Sequence, residues 1–299
     1  MPFGFDNFTI KEPTLAFKIL IDRYNIELRD AQKIIDKGRL LCNDETIRVK
    51  NSKISGDIKV LIFIPKSKGI KPIFKTKDFM LFDKPSGVLV HPNKVLTPYS
   101  LLDEIRTFGT SKSNGAHRID QETSGLVLAS MHRDSEIKLK TMFEKKFIKK
   151  TYLAWVKGDT KDVFCVNKPI KVRDNYDTSK HKVEINPNGK EATTYFKKLK
   201  YNKDINASLL EITPITGRTH QIRIHLHYLG LPIIGDPLYA TTFEISEAYL
   251  EERLSIEDRV KHTGAKRLML HANSIEFTLE NRFYIKSKVD FKSEIYSSI

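Results

Sequence analysis

An aspartate set between an arginine and a tight turn is the first feature of this chain able to do chemistry. The run Ala116-His117-Arg118-Ile119-Asp120-Gln121-Glu122-Thr123-Ser124-Gly125-Leu126 leads into the apolar strand Leu126 to Ala129. A buried carboxylate costs several kcal/mol unless it is paired or hydrogen-bonded, so Asp120 needs a strong partner. The segment Gly217-Arg218-Thr219-His220-Gln221-Ile222-Arg223-Ile224-His225-Leu226 offers one, with Arg223 as the candidate counter-charge. A carboxylate so held can attack as a nucleophile or stabilise an electron-poor sugar, then leave again. Its structural alternative is an Asx-type cap on the Thr123-Ser124-Gly125 turn. For hydrolysis a second carboxylate would have to activate water, and Glu122 is the only nearby candidate. His220, His225 and His227 sit close together, but no Cys or acidic ligand is spaced to complete a metal site with them, so no metal is expected.

These residues need elements to position them. Strands are predicted at Ile73 to Asp83, Leu126 to Ser130, Thr151 to Lys157, Thr193 to Tyr201 and Ala207 to Pro214, the last two joined by the polar turn Asn202-Lys203-Asp204-Ile205-Asn206. Helices are predicted at Ser100 to Phe108, Ser135 to Lys145, Thr219 to Leu229 with Gly230 as its stop, and Phe243 to Lys261. In a helix over 219–229, Ile222, Leu226 and Leu229 share a face that packs inward and aims Arg223 elsewhere, leaving Arg218 at the entrance for phosphate. Alternation in the strand from Thr151 puts Tyr152, Ala154 and Val156 on one face and Leu153 and Trp155 on the other, without deciding which face meets a pocket. An α+β domain around a central, mostly antiparallel mixed sheet with flanking helices accommodates this order.

Residues 10–66 read as a separate small module. Leu15, Ile19 and Ile21 suggest a first helix, Arg29 to Gly38 a second, and Arg39 to Asn43 and Lys59 to Ile64 two short strands. Residues 67–72 are basic and punctuated by Gly and Pro, which marks a linker, and the main domain is expected over 73–299. The chain has 299 residues and a formal net charge of +14, a surplus that steers it toward an anionic partner. Its two cysteines, Cys42 and Cys165, form no CxxC pattern, which fits a reducing cytoplasm and argues against structural zinc. The amino terminus lacks the pattern of a signal peptide, and the longest apolar run, Val60 to Ile64, is too short to span a bilayer, so no membrane partner is expected.

Six strings in order, the two above with Lys84-Pro85-Ser86-Gly87-Val88, Lys150-Thr151-Tyr152-Leu153-Ala154-Trp155-Val156-Lys157-Gly158, Gly235-Asp236-Pro237-Leu238-Tyr239 and Leu268-Met269-Leu270-His271-Ala272, resemble the motifs of the RluA family of pseudouridine synthases, in particular RluC- and RluD-like members. Gly189-Lys190-Glu191-Ala192-Thr193-Thr194 fits a further block of that family. The resemblance implies the pseudouridine synthase fold and a cofactor-free isomerase that turns uridine into pseudouridine in structured RNA. It implies that Asp120 attacks the target uridine, at the sugar or at the base, that Tyr152 lies against the uracil, and that Arg118 fills the space left by the turned-out nucleotide. Ile119 stands where the family usually has Leu, a swap of similar volume. Lys84 is left with two roles, meeting phosphate or bracing its loop, and His220 and Arg218 join the RNA-binding set. The module at 10–66 resembles the alpha-L RNA-binding module, with Arg29, Lys33 and Arg39, flanked by Arg23 and Lys37, as its phosphate contacts. Large-subunit (23S) ribosomal RNA is the expected substrate and tRNA the alternative, acted on by a monomer. The rival functions are a non-catalytic RNA-binding protein of ribosome assembly and a nucleoside hydrolase or glycosylase.

Overall fold

The computed structural model describes residues 3–94, 97–174, 182–239 and 241–299. It divides into two compact units, Met1–Ser67 with Pro92–Asp103, and Lys68–His91 with Glu104–Ile299. Within the first unit the Asp103 carboxylate accepts the Lys66 amide at 3.0 Å, which ties 92–103 to the preceding residues.

The first unit starts with a strand that the sequence pattern did not announce. The order is β1 (Phe3–Leu15), α1 (Ala16–Tyr24), α2 (Leu28–Asp36), β2 (Leu40–Cys42), β3 (Glu45–Thr46) and β4 (Lys53–Phe63), with sheet order β1-β4-β2-β3. Alternation along β1 is broken because Phe5 faces solvent while Asp6 shares a row with Phe8 and Ile10. Asp6 is held there by the Arg23 guanidinium at 2.7 and 3.0 Å and by the Tyr24 hydroxyl at 2.8 Å. Helix and strand residues Ala16, Leu20, Ala31, Ile35, Leu40, Ile58 and Val60 close a small core. Asn43 and Asp44 turn β2 into β3 with φ of +49° and +66°, the paired left-handed conformation of a tight hairpin.

The remainder of the chain contributes β5 (Phe74–Lys75), β6 (Phe79–Lys84), α3 (Leu101–Phe108), β7 (Asn114–Gly115), β8 (Ser124–Ser130), α4 (Arg133–Glu144), β9 (Lys149–Lys157) and β10 (Val163–Asn167). Then follow β11 (Ile170–Val172), β12 (Val183–Ile185), β13 (Thr193–Asn202), β14 (Ala207–Pro214), α5 (Gln221–Tyr228), α6 (Phe243–Leu250), α7 (Ile256–Thr263), β15 (Leu270–Thr278), β16 (Arg282–Lys286) and α8 (Phe291–Ser298). The central sheet runs β10-β13-β14-β9-β15-β8-β6-β5, antiparallel except for the parallel pair β15 and β8. This is the α+β architecture expected, with two differences of detail. The strand expected over 73–83 is a hairpin, because the Thr76 hydroxyl accepts the amides of Asp78 at 3.2 Å and Phe79 at 3.1 Å and folds the chain back. The helix expected over 243–261 is two helices. Glu252 takes a φ of +58°, and the Ser255 hydroxyl caps α7 by accepting the Asp258 amide at 3.0 Å.

The parallel pair brings the two ends of the site together. Gly125 lies opposite Ala272 at φ +106°, and a Cβ there would come within 2.3 Å of the Ala272 carbonyl oxygen. Only glycine permits so close an approach at that backbone conformation. The turn glycine after Asp120 therefore sets where the loop before β8 meets the middle of the sheet.

Candidate active site

Asp120 lies in the loop that leads into β8 and lines a cavity of about 170 Å³ together with Arg118, Thr123, Lys150, Tyr152, Arg218, His220 and Arg223. The loop is clasped from below by the Lys84-Pro85-Ser86-Gly87 turn. Gly87 donates its amide to the Gln121 carbonyl at 2.9 Å, and the Ser86 hydroxyl donates to the Glu122 carbonyl at 2.6 Å. Lys84 is fully buried and spends its three donors on the carbonyls of Pro85 at 2.9 Å, Val88 at 2.7 Å and Gln121 at 3.0 Å. Burial pushes its pKa down to about 7, against the pull of the Asp120 and Glu122 carboxylates. Of the two roles left open for Lys84, the brace is the one its geometry fills; no donor remains for phosphate, so Lys84 leaves the RNA-binding set.

Arg223 lines the pocket beside Asp120, although not by the helical-face argument. Helix α5 is buried on nearly every side, with Gln221 to Leu226 all inside, whereas Leu229 is 41% exposed. The inward-face argument from Ile222, Leu226 and Leu229 therefore fails, because α5 packs against β12 and β13 and its first six residues, Gln221 to Leu226, are all buried. The Arg223 guanidinium forks onto Asp236, Nε to Oδ2 at 2.8 Å and Nη2 to Oδ1 at 2.7 Å, and turns its remaining nitrogen, Nη1, to Asp120 Oδ2 at 3.5 Å. Burial alone would lower the Arg223 pKa, but the Asp236 and Asp120 carboxylates outweigh it and hold it above the usual arginine value. Burial likewise works to raise Asp236, and Arg223 with the Leu238 and Tyr239 amides keeps it below the usual carboxylate range. Asp236 is thus the principal partner of Arg223, a role the Gly235-Asp236-Pro237-Leu238-Tyr239 string carried without any local sign of it.

His220 adopts a φ of +50° at the start of α5 and is brought beside Asp120, Nε2 to Oδ2 at 3.8 Å. Burial, helped by Arg223, lowers its pKa to about 4, so the ring is neutral near pH 7 and the contact is no ion pair. Its Nδ1 lies 3.0 Å from the Tyr239 hydroxyl. His225 turns inward instead, to the Thr194 hydroxyl at 2.9 Å and the Lys168 carbonyl at 3.1 Å.

Tyr152, from β9, lines the pocket and settles which face of that strand meets it. Burial and the nearby Asp120 charge push its phenol pKa up, and its hydroxyl makes no hydrogen bond to any described residue. Arg118 and Arg218 are exposed at the pocket wall, Arg218 with Nε on the Glu191 carbonyl at 3.0 Å. Lys150, which the sequence argument passed over, also lines the pocket, and burial lowers its pKa. The lysine two residues before a pocket-facing tyrosine on one strand face was the signal available. Glu122 is not among the lining residues: it pairs with Arg259 at 2.6 Å and accepts the Tyr249 hydroxyl at 3.0 Å.

On the first unit, Arg29, Lys33 and Lys37 recur every four residues and are exposed, Lys33 beside Asp30 at 2.9 Å. Arg23 is committed to Asp6 and stacks over Phe8 at 4.0 Å, so it is no free phosphate ligand, and Arg39 lies over the Phe3 ring at 4.9 Å.

A family model described as RNA pseudouridylate synthase matches residues 78–228. An RNA pseudouridine synthase of Helicobacter pylori is 39% identical over 285 residues, 95% of this chain and 94% of that one. A protein of Vibrio parahaemolyticus named ribosomal large subunit pseudouridine synthase C is 31% identical over 268 residues, covering 82% of this chain and 78% of its own. Among solved structures, human RNA pseudouridylate synthase domain containing 1 shares the fold at a TM-score of 0.59 and 20% identity, over 75% of this chain and 86% of that one.

Proposed function

The chain belongs to the RNA pseudouridylate synthase family, and from that premise we propose that it isomerises uridine in large-subunit ribosomal RNA with Asp120 as the nucleophile. The observation that carries the reading is the make-up of the pocket: Asp120 is its one carboxylate among the described residues, and Arg118, Lys150, Arg218 and Arg223 stand around it. A nucleotide brings two flanking phosphates to such a ring of cations, while the carboxylate meets the base or sugar between them. Arg223 stands beside Asp120 while its stronger bonds go to Asp236.

The chemistry then follows in balanced steps. The Asp120 carboxylate adds to the sugar or the base, the bond from the base nitrogen to the ribose breaks, and the freed base turns. A carbon of the base joins the ribose, the carboxylate leaves, that carbon gives up its proton and the ring nitrogen freed from the ribose takes one up, so that product and substrate are isomers. Tyr152 offers a ring for the base to stack on, worth roughly 1–3 kcal/mol. Arg118 at the mouth supplies contacts that offset the few kcal/mol of unstacking. Hydrolysis would need a second carboxylate to activate water, and Glu122 is committed to Arg259 outside the pocket. The exposed basic row of α2 supports a docking role for the first unit on a larger RNA. The ribosomal assignment draws on the relative from Vibrio named for the large subunit.

Mapping pseudouridines in total RNA from cells without the protein, and from the same cells given wild type or Asp120→Asn, tests this directly. One or more large-subunit positions should lose the modification, regain it with wild type, and stay unmodified with Asp120→Asn at below about one hundredth of wild-type activity. Changes confined to tRNA would overturn the substrate, and restoration by Asp120→Asn would overturn the nucleophile.

A further inference from the structure

Helices α6 and α7 lie outside the pocket lining, yet both reach the catalytic loop. Glu122 stands two residues after Asp120, and its carboxylate is gripped from two sides, by Tyr249 of α6 at 3.0 Å and by Arg259 of α7 at 2.6 Å. Burial works to raise the Glu122 pKa, but Arg259 and Tyr249 outweigh it and keep the carboxyl below its usual range. The same Arg259 nitrogen, Nη2, also donates to the Gly235 carbonyl at 3.0 Å. Gly235 precedes Asp236, whose fork fixes Arg223.

These contacts close a ring. It passes from Asp120 to Arg223 at 3.5 Å, to Asp236 at 2.7 Å, along the chain to Gly235, to Arg259 at 3.0 Å, to Glu122 at 2.6 Å, and back along the chain to Asp120. All its non-covalent links are short except the one between nucleophile and counter-charge. The 120–123 loop carries Asp120, the 235–239 loop carries the Asp236 that holds Arg223 of α5, and Arg259 is bonded to both loops. Arg259 is buried and is not among the residues that line the pocket.

We propose that Arg259, with Tyr249 gripping the same Glu122, is a positioning residue that sets the separation of Asp120 from Arg223 by tying the loop of Asp120 to the loop whose Asp236 holds Arg223. The α6–α7 segment thereby becomes a brace for the catalytic geometry. The inference rests on Asp120 and Arg223 being the reacting pair. A misplacement of about 1 Å at reacting groups can cost on the order of 100-fold in rate, so a brace of this kind acts on kcat and leaves RNA affinity alone.

The test compares full-length wild type, Arg259→Met, Arg259→Lys, Glu122→Gln, Tyr249→Phe, Glu122→Gln/Arg259→Met and Asp120→Asn on one RNA, with a crystal structure of Arg259→Met. Expected for Arg259→Met are a kcat about 10- to 100-fold lower, a KM within about twofold of wild type, and an Asp120–Arg223 distance longer than in the parent. Arg259→Lys should regain part of the rate by keeping one charged donor, and the double variant should be no worse than Arg259→Met alone. A folded Arg259→Met with wild-type kcat, or one whose KM rises at constant kcat, overturns the proposal. Should Arg259→Met not fold, wild-type kcat in both Glu122→Gln and Tyr249→Phe overturns it equally. An active Asp120→Asn would instead sink the assignment of the nucleophile, a result separable from the others.

Discussion

Replacing Asp236 by Asn keeps the shape of the most buried ion pair in the catalytic unit and removes its negative charge. Asp236 accepts four donors, Arg223 Nε at 2.8 Å, Arg223 Nη2 at 2.7 Å, and the amides of Leu238 at 2.9 Å and Tyr239 at 3.1 Å. An asparagine offers one oxygen and one NH₂, so its nitrogen must face at least one of these donors, and the guanidinium is left buried with only Asp120 at 3.5 Å. Breaking a buried pair by removing one partner costs about 3–5 kcal/mol. For a unit of this size each kcal/mol moves the thermal midpoint by roughly 2–4 °C, which gives a fall of about 6–20 °C. Arg223 also loses the fork that aims Nη1 at the nucleophile, so kcat should drop at least about 10-fold in protein that is still folded at the assay temperature. Urea unfolding followed by tryptophan fluorescence measures the first effect, since Trp155 is the only tryptophan and lies buried in β9. Pseudouridine formation in a single turnover measures the second. A stability loss below about 1 kcal/mol, the value of an exposed pair, would refute the argument that this pair is held by burial and four converging donors.

Acid should weaken the fold well above the range where carboxylates titrate. Burial holds His91, His220 and His271 near a pKa of about 4 and His117 near about 3, so the unfolded chain binds more protons than the folded one as pH falls below about 6.5. Stability from these neutral rings is complete above that value and is lost as pH falls toward about 4. A urea midpoint that stays level or rises between pH 6.5 and 4.5 would contradict it. On the first unit, changing Arg29, Lys33 and Lys37 together to Ala should lower the slope of log affinity against log salt by about 2, at roughly 0.7–0.9 per phosphate contact. An unchanged slope in an RNA-binding titration would leave the α2 row as a solvated face.

Local pattern carried a good share of this protein. The hairpin of β13 and β14, the core of α1 and α2, and the strand that presents Tyr152 follow from period, turn residues and stop signals that act within a few residues. Asp120 and Arg223 were legible as a candidate pair through the family resemblance of the two strings that hold them, since a chain with 51 lysines and arginines offers many other counter-charges. Strand β1 was hidden by a distant cause: Asp6 occupies a row otherwise apolar because Arg23 and Tyr24 wait for it on α1. Lys84 could be read two ways until the backbone of residues 85–88 and 121 was folded around its ammonium. The direction of Arg223 needed the tertiary structure most. Helical periodicity tells which residues share a face, and it assumes one buried face; α5 is buried on every face over Gln221 to Leu226, and the choice of where its arginine points was made by Asp236 on a neighbouring loop. Likewise nothing in the sequence near Glu122 points to Arg259, 137 residues away. Period and propensity report how a segment meets an interior, whereas the identity of a charge's partner depends on which loops the sheet brings side by side, and that is decided only when β8 and β15 lie down in parallel.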